Sequence, residues 1–166
     1  YMHALSLYLQ SPEYNLDQTV TYEAVEALQY YIERYPASDK IFSADSMIND
    51  LQVKLETKAY FNAKLYHKIK RYKAALVVFE NFHKDFPDSD YNEEIYFLGI
   101  GTAYEYARVS IPEKQEERFR EAIAQYEMFI EKFPNSKFLK DAEQIFVNSR
   151  NELAKFADQN KKDKWV

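Results

Sequence analysis

Residues 75–89 read Ala75-Leu76-Val77-Val78-Phe79-Glu80-Asn81-Phe82-His83-Lys84-Asp85-Phe86-Pro87-Asp88-Ser89. Apolar residues fall at Ala75, Phe79, Phe82 and Phe86, three to four apart, so they share one face of a helix. Pro87 ends that helix, because a proline cannot supply the next backbone donor. Ser89 is placed to cap whatever helix follows. The same pattern occurs twice more. Ala24, Leu28, Tyr31 and Tyr35 precede Pro36 and Ser38, and Ala122, Tyr126, Phe129 and Phe133 precede Pro134 and Ser136. The three prolines are 51 and 47 residues apart. Agreement at four apolar offsets in three places marks an internal repeat.

Each repeat needs a partner helix upstream. In the middle unit it carries Ala59, Asn62, Ala63 and Tyr66. In the third it carries Phe97, Ile100, Gly101 and Tyr104, and in the first Tyr1, Ala4, Leu5 and Tyr8. Ala63 and Gly101 are small where two helices cross. Leu5 is not, so the first pair either crosses more loosely or has a shifted register. The spacings predict helices over 1–10, 19–35, 39–57, 58–69, 72–86, 90–109, 113–133 and 137–157. They imply repeats of about 1–50, 51–95 and 96–157, with insertions near 11–19 and 110–117 and a polar tail at 158–166. Pro12 and Pro112 break or start helices in the insertions, and Asp17 or Thr19 caps the second helix. The expected fold class is all-α, an α-α superhelix of antiparallel helix pairs. Burying one phenylalanine contributes roughly 2–3 kcal/mol, so the repeated aromatics suffice for a core.

Composition narrows the function. The chain has 166 residues and a net charge of −5, with two glycines and no cysteine. Without cysteine there is no disulfide framework, thiolate metal site or sulfur nucleophile. Two glycines do not supply a phosphate-cradling loop. The acidic balance disfavours nucleic acid as a partner. No apolar run approaches the roughly 18 residues of a membrane span. His3, His67 and His83 lack the spacing of metal ligands. Neighbouring acids such as Glu93 and Glu94 point in different directions from a helix and do not form an acid–base pair. No cofactor, metal or catalytic group is expected, and the chain reads as a non-enzyme.

A partner surface is the remaining candidate. The middle unit resembles the tetratricopeptide (TPR) pattern, and that resemblance implies that Tyr60, Lys64, His67, Leu98, Thr102 and Tyr106 occupy positions that usually face the concave groove. Lys64, Lys68, Lys70, Arg71 and Lys73 cluster at the turn of the middle unit. That cluster is either a solvated turn or a dock for an acidic partner. The strip is either an exposed groove or is covered by neighbouring helices.

The segment Ser11-Pro12, Leu16-Asp17-Gln18-Thr19, Tyr22-Glu23-Ala24, Ala27-Leu28-Gln29 and Tyr35-Pro36-Ala37-Ser38 resembles the BamD family. So do Tyr60, Ala63-Lys64-Leu65-Tyr66 and Phe133-Pro134-Asn135-Ser136-Lys137-Phe138. The likeness covers about 1–157 and corresponds to that family's later, C-terminal repeats. It implies a lipoprotein scaffold of the outer-membrane β-barrel assembly (Bam) machinery, on the periplasmic face of the outer membrane. Implied partners are the POTRA region of BamA, other Bam components and outer-membrane protein precursors. The family's lipidated cysteine and early repeats have no counterpart here, so we expect a fragment whose membrane link is an anchor outside this chain. A SusD-like or other periplasmic TPR ligand- or peptide-binding lipoprotein, or an envelope adaptor of the YbgF/CpoB type, is the competing expectation.

Overall fold

In a computed structural model the backbone of residues 1–163 and the side chains of residues 1–157 are described. The tail expected at 158–166 therefore lies outside the residues described in full. Seven helices, and no strand, occur among the described residues: α1 (Met2–Gln10), α2 (Thr19–Arg34), α3 (Ile41–Lys68), α4 (Tyr72–Asp85), α5 (Asn92–Arg108), α6 (Pro112–Lys132) and α7 (Leu139–Asp163). The fold is all-α and TPR-like. It divides into two compact units, residues 1–61 and 62–166, with the boundary inside α3.

The helix ends follow the repeat. Pro36, Pro87 and Pro134 are exposed and stand just beyond α2, α4 and α6. Behind each, a serine closes the turn into the next helix. Ser38 Oγ accepts from Lys40 N at 3.1 Å, Ser89 Oγ from Tyr91 N at 3.1 Å and Ser136 Oγ from Phe138 N at 3.0 Å. Asp17 Oδ1 accepts from Thr19 N at 3.0 Å where α2 begins; the Thr19 side chain first, and this N–H second, hold the Asp17 carboxyl below its usual pKa. Pro112 is the first residue of α6, where its missing N–H has no partner to lose.

One boundary differs from expectation. Residues 39–57 and 58–69 are not two helices but the single 28-residue α3. Neither Pro nor Gly occurs between Pro36 and Pro87. Thr57, the polar residue nearest the expected break, turns its hydroxyl back onto Val53 O at 2.8 Å and stays in the helix.

In unit 1, Ala4, Ala24, Leu28, Ala44, Ile48 and Leu51 form one buried cluster from α1, α2 and the first half of α3. Ala4, not Leu5, is the buried small residue of α1, which settles its register. In unit 2, aromatic residues dominate. Ala75, Phe79, Phe82, Phe119, Ala122 and Phe129 are buried, and Ile100, Phe129 and Ala142 join α5, α6 and α7. Tyr126 stacks on Phe146 at 4.5 Å, and Tyr104 tilts against Phe119 at 5.8 Å.

Two repeat positions need correction. Tyr66 aligns with core residues but is 38% exposed, two residues before α3 ends. Gly101 does not mark a forced close approach. A methyl group there would meet only Ile145 Cδ1 at 3.8 Å, an ordinary contact.

Candidate functional site

Most of the strip expected to face a partner is already occupied by the fold. Thr102 on α5 is fully buried. Its hydroxyl donates to Leu98 O at 2.7 Å. The oxygen therefore accepts from the protonated Nδ1 of His67, 2.7 Å away on α3. Burial lowers the His67 pKa and favours this neutral form. Lys64 pairs with Glu94 on α5 at 2.8 Å. These are ties from the end of α3 to α5. Tyr106 is half-buried, and the Arg118 guanidinium lies 3.9 Å from its ring centre. Leu98 is half-buried, whereas Lys68 is exposed. Tyr60, in unit 1, is buried with its ring edge-on to Phe61 at 5.2 Å. Of the seven residues, only Lys68 is fully presented to solvent. Tyr60 and Thr102 are buried and Lys64, His67, Leu98 and Tyr106 half-buried, because period and spacing give a residue's direction on its helix, but not what packs over it.

A better candidate in unit 2 is a groove of about 500 Å³ between α4 and α6, floored by α5. Gly99 and Ala103 form its floor, and Phe79, Val77 and Met128 line its walls. Val77 is 51% and Met128 41% exposed. A side-chain methyl at Gly99 would lie 3.5 Å from Gln125 Oε1, so the glycine keeps the floor low. Glu80, bonded to Lys84 at 2.7 Å, and Glu121 give the groove a polar edge. Such a form accepts an apolar side chain or helix face from another protein. The repeat offsets missed it because Val77 and Met128 lie between the repeated core positions. Their signal was an apolar residue on the otherwise polar side of α4 and α6.

His83 stands at the end of this groove. Asn92 donates its amide to Phe86 O at 2.8 Å and Pro87 O at 2.9 Å, so its oxygen accepts from His83 Nδ1 at 2.7 Å. The ring stacks on Tyr96 at 3.7 Å. Desolvation pushes the His83 pKa down; the Asn92 bond opposes this, and nearby Lys132 adds to it. No group of three or more His, Asp or Glu side chains suited to a metal ion occurs among the described residues.

Unit 1 holds its own structured segment. Residues 11–18, expected as an insertion, lie against α3. Lys54 Nζ donates to Ser11 Oγ at 2.7 Å, and Lys58 Nζ donates to Leu16 O. Gln18 is buried, bonding Glu13 O at 2.8 Å and accepting from Thr21 Oγ1 at 2.7 Å. Tyr14 stacks on Phe61 at 5.3 Å. Lys54 and Lys58, four apart on one helix face, were the legible sign that something polar lies over them.

With the two units described, comparison with known proteins is informative. The family model for YfiO, described as an outer membrane lipoprotein, matches residues 1–96 and 70–157. The chain belongs to the YfiO outer membrane lipoprotein family. The two YfiO matches overlap over 70–96, which takes in α4 and the start of α5. No curated protein matches the chain. Among the described residues no helix is long and apolar enough to cross a membrane.

Proposed function

We propose that this chain is a non-catalytic scaffold of the outer-membrane protein assembly machinery, BamD-like in role. Its helical repeats hold the POTRA region of a BamA-type barrel-inserting subunit on the periplasmic face of the outer membrane. The observation that carries this reading is the family match extending from residue 1 to residue 157. The α4–α6 groove supports it, since Val77 and Met128 offer an apolar seat edged by Glu80 and Glu121. Exposed apolar residues grouped in a concavity are what protein interfaces use as anchor sites.

The test is calorimetric titration of the chain with the POTRA domains of BamA from the same genome. Saturable binding at or below about 50 µM supports the reading, and none at that concentration overturns it. Val77→Glu or Met128→Glu is expected to weaken binding at least tenfold if the groove is the seat. Reversing Lys64 is a poor probe, because its pairing with Glu94 belongs to the fold. Unchanged affinity in both groove variants would move the seat elsewhere on the chain.

A further inference from the structure

Between Glu56 and Glu80 the sequence has no acidic residue but six cations: Lys58, Lys64, Lys68, Lys70, Arg71 and Lys73. In a chain of net charge −5 this is a marked segregation. Lys64 is held by Glu94. Lys68, Lys70, Arg71 and Lys73 are all exposed at the α3–α4 turn, and none forms an ion pair among the described residues. At the apex between them stands Ile69, 51% exposed.

The turn closes in a geometry that favours glycine. Arg71 N donates to Tyr66 O at 3.1 Å and Lys70 N to His67 O at 3.0 Å. This double bond pattern needs a left-handed residue after the helix, usually glycine. Here that residue is Lys70, at φ 58°. A lysine therefore stands, at some conformational cost, where it adds a cation to the tip.

The α5–α6 turn emerges at the same end of unit 2. The Lys64–Glu94 and His67–Thr102 ties advance together along α3 and α5, so these helices run in the same direction. The turns that follow them therefore point the same way. The second turn presents Val109 and Ile111, 65% and 63% exposed. Its charges are largely self-paired: Arg108 with Glu105, Lys114 with Glu117 and Arg120 with Glu116. Glu113 is exposed there.

We propose that this end of unit 2 docks on a membrane surface, with Lys68, Lys70, Arg71 and Lys73 meeting anionic phospholipid headgroups. Ile69, Val109 and Ile111 dip into the interface beside them. The features fit a lipid surface better than an acidic protein. The apolar side chains are single exposed residues in the turns that join helices, rather than a cluster that forms an interface anchor. Cations with flexible stems around isolated aliphatic tips suit the headgroup boundary. Membership in a family of outer membrane lipoproteins places such a surface within reach.

The experiment is co-sedimentation of the chain with phosphatidylcholine vesicles made with and without phosphatidylglycerol. Binding is expected only with the anionic lipid and should weaken as salt rises. Each cation at such a surface raises partitioning about fivefold, so Lys70→Gly with Arg71→Gln should lower it about 25-fold. Glycine at position 70 also relieves the left-handed strain, so loss of binding in this variant would not reflect loss of fold. Ile69→Asn should remove the part of the binding that survives high salt. Equal sedimentation with and without phosphatidylglycerol, or unchanged binding by the double variant, overturns the proposal. So does a double variant that binds lipid normally but loses affinity for the POTRA domains, which would assign the turn to a protein.

Discussion

Five residues before the helix-ending proline, unit 1 has Tyr31 while unit 2 has Phe82 and Phe129. The position is the same in the repeat, but the surroundings are not. Both phenylalanines are buried. Tyr31 is half-buried, leans on Tyr1 at 5.3 Å and Tyr35 at 5.5 Å, and shares a hydrogen bond with Ser38 Oγ. The contrast extends through each unit. Unit 1 has a core of alanine, leucine and isoleucine, with a polar segment, 11–18, tied down by Lys54 and Lys58. Unit 2 is joined by aromatic rings and by two histidine ties. Unit 1 thus adds polar bonds of fixed geometry to a small aliphatic core, and unit 2 adds two histidine bonds to a larger aromatic one. A repeat fixes where a side chain points; the neighbours decide whether it is filled by bulk or by hydrogen bonds.

The largest expected effect is in unit 2. Phe129→Ala should destabilise it by about 3–5 kcal/mol, while Tyr31→Phe at the equivalent place should cost only about 1 kcal/mol. Denaturant titration followed by hydrogen exchange would show each loss in its own unit. Similar losses at both sites would erase the distinction. Next, Lys54→Met removes a charged donor from Ser11 and should cost about 1.5–3 kcal/mol. The accompanying sign is faster proteolysis within 11–18, with exchange in α5–α7 unchanged.

Acid should separate the units further. His67 and His83, both in unit 2, have folded pKa values lowered by burial. The unfolded chain then binds protons more readily, so stability is complete above the unfolded value of about 6.5 and falls as pH drops below it. Denaturation midpoints at mildly alkaline and mildly acid pH should show the decline in unit 2. The double variant His67→Asn/His83→Asn should flatten it, and an unaltered slope would remove these histidines as its cause. The smallest effect is a gain. Gly101→Ala should stabilise α5 by about 0.5–1 kcal/mol, since the new methyl meets only Ile145 at 3.8 Å. A loss instead would restore Gly101 as a close helix crossing.

Much of this was legible from residue types alone. The prolines and the serines two residues beyond them set the ends of α2, α4 and α6, because those effects act within a few bonds of the residue. The continuity of α3 was less visible. A helix persists unless something interrupts it, and neither Pro nor Gly occurs between Pro36 and Pro87. The binding strip was the least legible: Thr102 is buried and His67 half-buried, and they bond to each other across helices distant in sequence.

By itself, then, the sequence determined the all-α repeat, its punctuation and the unbroken basic stretch before Glu80, since each depends on local backbone chemistry or on charge order. The tertiary structure decided which of those residues remain available. Burial of Thr102, pairing of Lys64, exposure of Val77 and Met128 over a glycine floor, and the common direction of two apolar turns all arise from helices distant in sequence meeting in space. Availability to a partner is a property of what is left uncovered, and only packing settles that.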